Sequence, residues 1–464
     1  MRAAIQKKER KPIDLLNGSI MPALAKLALP IMATAFVQMA YNLTDMAWIG
    51  FLGSNSVAAV GAAGMYTWLA QGVMNISKMG SQVMVAQSIG AANQKEAHAY
   101  LRGGLQLAAT LAVIYGLLCL LFAGPMIGFF KLSGADTTAQ AEIYLRIVGG
   151  LIFFAFLNQT LTGLYTSVGD SRTPFLANCI GLFGNMIFDP MLIFGIGPFP
   201  RMGVAGAAAA TVSAQAVVTL ALLLLRGRSG SEVLSHMEVL RRTEARHFKT
   251  IARIGLPASV QTMVYCGISM VLTRMVSAWG DAAIAVQRVG SQIESLGWMT
   301  GEGFGAAVNA FIAQNYGARR LDRVRKSYHA SIVLMIGWGL FVTCVLYFGA
   351  EPLFRLFIHE EAIIPEGINY LQIISYGEFP MCLELMTVGA LSGLGRTGIC
   401  SIVSMTLTGA RIPIALFLSA TALGLSGIWW AFTVSSIIKG LVFTLVFLLI
   451  LKQLDKRAAG TVKL

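Results

Sequence analysis

The stretch FGNMIFDPMLIFG, residues 183–195, is apolar almost throughout yet carries Asn185 and Asp189. Four positions apart on a helix, the carboxamide and the carboxylate share one face and sit one turn from each other. An Asp at the centre of a membrane helix costs about 2.5–3.5 kcal/mol, so such a carboxylate needs a compensating group. Two further apolar stretches supply candidates: Asp45, two turns below the outer end of its run near IGFLG, and Thr211, about two turns into the run that starts at Gly203. Two carboxylates, a carboxamide and a hydroxyl make an oxygen donor set suited to a small hard cation such as Na+. Without the ion, neighbouring carboxylates can take up a proton instead. The expected chemistry is therefore reversible cation or proton binding, provided that three helices bring these side chains to one depth.

The elements that must position them are membrane helices. The chain has 464 residues, 56% hydrophobic and 12% charged, with a mean hydropathy of +0.69, whereas soluble domains carry about 25% charged residues. A bilayer core takes roughly 20 apolar residues per helical span. Twelve such runs occur, near 24–49, 56–82, 98–122, 143–167, 174–196, 203–225, 250–275, 283–312, 328–349, 368–393, 399–421 and 426–451. The sequence thus predicts an all-α integral membrane protein of twelve transmembrane helices.

A net charge of +13 and a pI near 9.6 raise the question of nucleic acid, which the placement of the charges excludes. Basic residues fall in alternate connections: QKKERKP in the N-terminal tail, Lys95 and Arg102, RGRSG to RRTEARHFK, ARRLDRVRK, and KQLDKR at the end. The opposite connections hold Lys131, Arg201 and Arg355 beside Asp136, Glu351, Glu360 and Glu361. By the positive-inside rule the basic side and both termini face the cytoplasm, across a cytoplasmic (inner) membrane. A nucleic-acid surface would need one contiguous basic patch.

The chain also repeats. Leu29 and Pro30 reappear as Leu256 and Pro257, Gly53 as Gly280, and AQSIGA (86–91) as AQNYGA (313–318), each 227 positions on. At a slightly shorter offset SVGDSRTP (167–174) faces GLGRTGIC (393–400), and GVAGAAAATVSAQ (203–215) faces GLSGIWWAFTVSS (424–436). The expected organisation is an N-terminal six-helix lobe over 1–226, a cytoplasmic linker over 227–248 and a C-terminal six-helix lobe over 249–464. An even number of helices per repeat makes the halves parallel, an architecture of transporters that hold substrate near the midplane and alternate access.

YNLTDMAWIGFLGSNSVAAVG in the first span, the paired AQxxGA endings and SVGDSRTP resemble the multidrug and toxic compound extrusion (MATE) family, and with the span count the likeness covers nearly the whole chain. The resemblance implies a MATE-like fold of two six-helix repeats and an ion-driven antiporter that exports amphipathic, often cationic, drugs or metabolites. Asp45, Asn185, Asp189 and Thr211 match the polar cluster that resembles the cation site of such relatives. At the 227 offset Asp45 faces Leu272, and Arg411 stands where the first half has its acids, so the cation site belongs to the first half alone. The second half has its own polar set: Glu294, Glu302, Glu378, Glu384, Arg411 and Lys439. Arg411 is expected either to pair with Glu378 or Glu384, because unpaired intramembrane charges are costly, or to contact substrate. Tyr41, Tyr66, Met263, Tyr265 and Trp298 are candidates to line a pliable substrate cavity.

Other classes find no support. The six cysteines form no CxxC pair, and His98, His236, His247, His329 and His359 show no paired ligand spacing, so no metal beyond a coupling Na+ is expected. No GxxxxGK[ST] motif, nucleophile–base pair or cofactor motif occurs, so the protein is expected to be neither an ATPase nor another enzyme and to need no cofactor. The alternative is a flippase for a lipid-linked oligosaccharide or related amphiphile, which would want a strongly cationic cavity; the acids of the first half argue against it. The expected partners are small amphipathic or cationic substrates and membrane lipids, with the protein as a monomer.

Overall fold

The computed structural model describes residues 12–458, apart from 131, 133, 198, 236, 240, 358–360 and 362. The basic tail before residue 12, Lys131, His236, His359 and Glu360 lie outside the described residues. Among the described residues every regular element is helical.

The first repeat contains α1 (Ile20–Gly50), α2 (Ser54–Gly90), α3 (Gln94–Gly128), α4, α5 (Arg172–Phe194) and α6 (Val204–Leu225). Helix α4 has two pieces, Ala135–Tyr144 and Phe153–Ser167, joined through a π-helical turn at Leu145–Gly149 and bent by 45°. The second repeat contains α7 (Ala245–Ser277), α8 (Asp281–Gly317), α9 (Leu321–Phe348), α10 (Ile364–Gly393), α11 and α12 (Leu425–Ala458). Helix α11 also has two pieces, Thr397–Gly409 and Arg411–Ser419. These twelve coincide with the twelve apolar runs. Among the described residues nine helices are long and apolar enough to cross a membrane, and α4 makes ten if its two pieces form one span. Helices α8 and α10 complete the twelve, and it is their acids, among them Glu294, Glu302, Glu378 and Glu384, that dilute their hydropathy.

Helix α12 shows why a uniformly apolar sequence still has two faces. Leu441, Leu445 and Leu449 are 68%, 58% and 57% exposed, whereas Phe443 and Phe447 are fully buried and Leu451 nearly so. Each set repeats every four residues, so one stripe meets lipid and the other packs inward. Phe447 stacks on Tyr328 of α9 at 3.9 Å between ring centroids.

The repeat persists in backbone detail. Gly53 and Gly280 precede α2 and α8 with φ of 106° and 97°, and after the AQxxGA motifs Ala92 and Arg319 adopt φ of 54° and 57°. Positive φ is uncommon for residues with a Cβ, so its recurrence 227 positions apart marks two copies of one structure.

The chain divides into two compact units, the first comprising the segment through Gly18 with Phe36–Gly255, the second Ser19–Ala35 with Leu256–Leu464. The boundaries therefore differ from the expected cuts at 226 and 249. Within the linker, Val233 and Leu234 are buried in the first unit's core, and Gln106 Nε2 donates to Val239 O and Arg241 O at 2.7 and 2.8 Å. The start of α7 packs on α2 so closely that a Cβ on Gly255 would collide with Ile76 O. Reciprocally, the start of α1 lies against α8, where a Cβ on Gly303 would stand 3.3 Å from Ile31 and Met32.

Candidate cation site and the second-half polar network

In the first unit, α1, α5 and α6 bring the four predicted residues into one neighbourhood. Glycines allow it: a Cβ on Gly206 of α6 would collide with Leu192 O of α5, and one on Gly181 of α5 with the Val218 side chain of α6. The two backbones can therefore approach until Thr211 stands beside the acidic face of α5.

Asn185 and Asp189 are completely buried. Asn185 Nδ2 donates to Asp189 Oδ1 at 3.2 Å, as their four-residue spacing predicts. Asn185 Oδ1, Asp189 Oδ2 and Asp45 Oδ1 are buried without a hydrogen-bond partner among the described residues. Asp45 is a charged neighbour of Asp189. Thr211 Oγ1 donates to Ala207 O at 3.0 Å and accepts from Tyr41 Oη at 3.3 Å, which leaves an oxygen-rich wall on three helices. Three oxygens with unused lone pairs around two carboxylates fit a monovalent cation or a proton. A buried acceptor left unpaired costs about 1–3 kcal/mol, more when charged.

Sequence reasoning missed Tyr144, at the end of the first piece of α4. It is 6% exposed and lies beside Asp45, Asp189 and Thr211. Tyr41, expected in the substrate cavity, contacts Thr211 and lines a small pocket with Gln38, Asn178 and Gln215. Tyr66 is not part of that group: its hydroxyl donates to Met126 O at 2.6 Å, which ties α2 to α3.

The second unit corrects one pairing. Lys439 Nζ lies 2.9 Å from Glu384 Oε1, so Lys439, not Arg411, takes that acid. Both oxygens of Glu378 are buried without a partner among the described residues, so Arg411 does not pair with Glu378 either. Glu378 is wedged against α8, where a Cβ on Gly297 would collide with its Oε2. Arg411 Nη2 donates to Ser436 Oγ at 3.2 Å, and its Cζ lies 5.0 Å over the Phe432 ring. Its nearby acid is Glu294, which accepts from Tyr370 Oη at 3.2 Å. The physical reason is reach: Lys439 on α12 faces α10 directly, whereas Arg411 begins the second piece of α11 and points to α12 and α8. Glu302 is exposed on α8, and Met263 is half-buried on α7. Tyr265 and Trp298 are 44% and 37% exposed, Tyr265 beside Arg411. In the first unit Lys78 Nζ donates to Gln159 Oε1 at 2.8 Å.

The profile of the MatE family matches residues 30–191 and again 257–417, one match for each repeat. The chain belongs to the MATE family. MATE proteins are multi-pass membrane transporters, and the doubled match begins at Pro30 and Pro257, the positions that first revealed the repeat. The chain is 27% identical to the probable multidrug resistance protein NorM of Thermotoga maritima, over 88% of this chain and 87% of that protein. It is 25% identical to an FAD transporter of Shewanella oneidensis, over 92% of this chain and 94% of that protein. Its fold is that of a multidrug resistance MATE transporter of the MOP superfamily solved in an outward-facing conformation, with a TM-score of 0.90 at 23% identity over 97% of this chain and all of the other.

Proposed function

We propose that this MATE protein is a cation-coupled antiporter that uses Na+ or H+ to export amphipathic, often cationic, drugs or metabolites across the cytoplasmic membrane. Asp45, Asn185, Asp189 and Thr211 carry the coupling ion, and both termini lie in the cytoplasm. The observation that carries this reading is the trio of buried, unpartnered oxygens on Asp45, Asn185 and Asp189. A site that merely braced a helix would spend those lone pairs on protein donors. An ion or proton binding there satisfies them reversibly, which exchange requires. Tyr144 and Tyr41 orient the site from α4 and α1. The family's multidrug resistance relatives support drug export, and the FAD transporter among them supports a class of large, aromatic metabolites as well. The protein works as a monomer, with lipid as its solvent.

The test is efflux from proteoliposomes with sodium and proton gradients imposed separately. Export should follow at least one gradient and vanish with Asp189→Asn. Export that ignores both gradients sinks the coupling.

A further inference from the structure

The two repeats can be read against each other residue by residue at the cation site. Gly203 and Gly424 begin α6 and α12 with φ of 55° and 53°, so Thr211 corresponds to Phe432, 221 positions on. Gly169 and Gly395 precede α5 and α11 with φ of 87° and 75°, so Asn185 corresponds to Arg411 and Asp189 to Ala415, 226 positions on. Asp45 corresponds to Leu272 at the 227 offset. Every oxygen-bearing residue of the first site is therefore replaced. Leu272 and Ala415 are completely buried and bring only hydrocarbon, and Phe432 offers a ring face where Thr211 offers a hydroxyl.

What stands in that place is a positive charge. Arg411 is 5% exposed, its Cζ sits 5.0 Å over the Phe432 ring, and its Nε is buried without a partner among the described residues. Glu294 is its neighbouring carboxylate. An aromatic face and an acid around a guanidinium form a cation-binding environment, here filled by the chain itself. A guanidinium is always charged and is more weakly hydrated than an ammonium, so it tolerates this position in a way that a free metal ion over hydrocarbon would not.

We infer that Arg411 is a tethered cation: it holds, in the second half, the place that a mobile ion takes in the first, so ion exchange runs through the first half alone. The inference rests on the reading of Asp45 and Asp189 as the mobile-ion site. A covalently held charge cannot leave, so the second half stays compensated at Glu294 throughout the cycle. Removing the guanidinium should open a cavity that a free one can fill.

The experiment measures the Tm of the purified full-length protein in detergent against millimolar methylguanidinium, with choline at equal ionic strength as reference. Arg411→Ala should lower Tm, and methylguanidinium should restore it saturably. The restoration should persist when Asp189→Asn is added, because the two sites are separate. The unmodified protein should show no such response. Absence of restoration, equal restoration by choline, or its loss on adding Asp189→Asn overturns the proposal. Should Arg411→Ala fail to fold, export by Arg411→Lys and Arg411→Gln decides: the lysine variant should retain gradient-driven export and the glutamine variant lose it, and equal loss by both overturns the tethered charge. Failure of the first-half reading has its own signature, a sodium-dependent rise in Tm that survives Asp189→Asn with Arg411 intact.

Discussion

Lys439 Nζ lies 2.9 Å from Glu384 Oε1, with both side chains 6% exposed. The pair joins α12 to α10 where water cannot screen it. Breaking a buried pair leaves one uncompensated charge and costs about 3–5 kcal/mol, whereas replacing both partners by apolar groups is often neutral. Lys439→Met alone, or Glu384→Leu alone, should therefore lower thermal stability strongly, and the double variant should recover most of the loss. A double-mutant cycle on melting in detergent measures this directly; additive losses would mean no interaction.

At the first-half site, Asp45→Asn and Asp189→Asn should each reach the membrane in normal amounts yet lose gradient-driven export. The amide keeps the shape of the carboxylate but cannot balance a cation. Tyr144→Phe removes one hydroxyl beside both acids and should weaken ion affinity without abolishing it. Normal coupled efflux by both Asn variants, at equal abundance, would rule the acids out.

Coupling also demands reciprocity. If ion and drug favour different conformations, each weakens the other's binding by the same factor. Drug affinity measured across sodium concentrations, at several fixed pH values, should fall as the coupling ion rises. The dependence should disappear in Asp189→Asn. Affinity indifferent to both ions in the unmodified protein would be incompatible with the mechanism.

Packing supplies a test of position. Gly206→Ala places a Cβ onto Leu192 O, so α5 and α6 must move apart, and overpacking of this kind costs about 1–3 kcal/mol. Because the displaced backbone carries Asp189 and Thr211, ion affinity should fall with stability. Gly184→Ala on the same α5 is the control: its Cβ would meet only Phe188, at 3.7 Å, and Ala favours a helix over Gly by about 1 kcal/mol. It should be neutral or stabilising. Equal effects of the two substitutions on ion affinity would show that the close contact does not set the site.

How much of this was readable in advance follows from which interactions are local. Span count and repeat offset were legible, because the roughly 20 apolar residues that each span takes show in the sequence itself. The Asn185–Asp189 hydrogen bond was legible too, since four residues on one helix fix that contact. Tertiary structure decided three things. It gave Glu384 to Lys439 rather than to Arg411, it brought Tyr144 to the acids, and it placed the start of α1 with the second unit and the start of α7 with the first. In each case the positions of these residues along their helices left the partner open. What differed was the rotation of each helix about its axis and which neighbour it met, and these depend on glycine contacts between helices, such as Gly206 against Leu192 and Gly255 against Ile76.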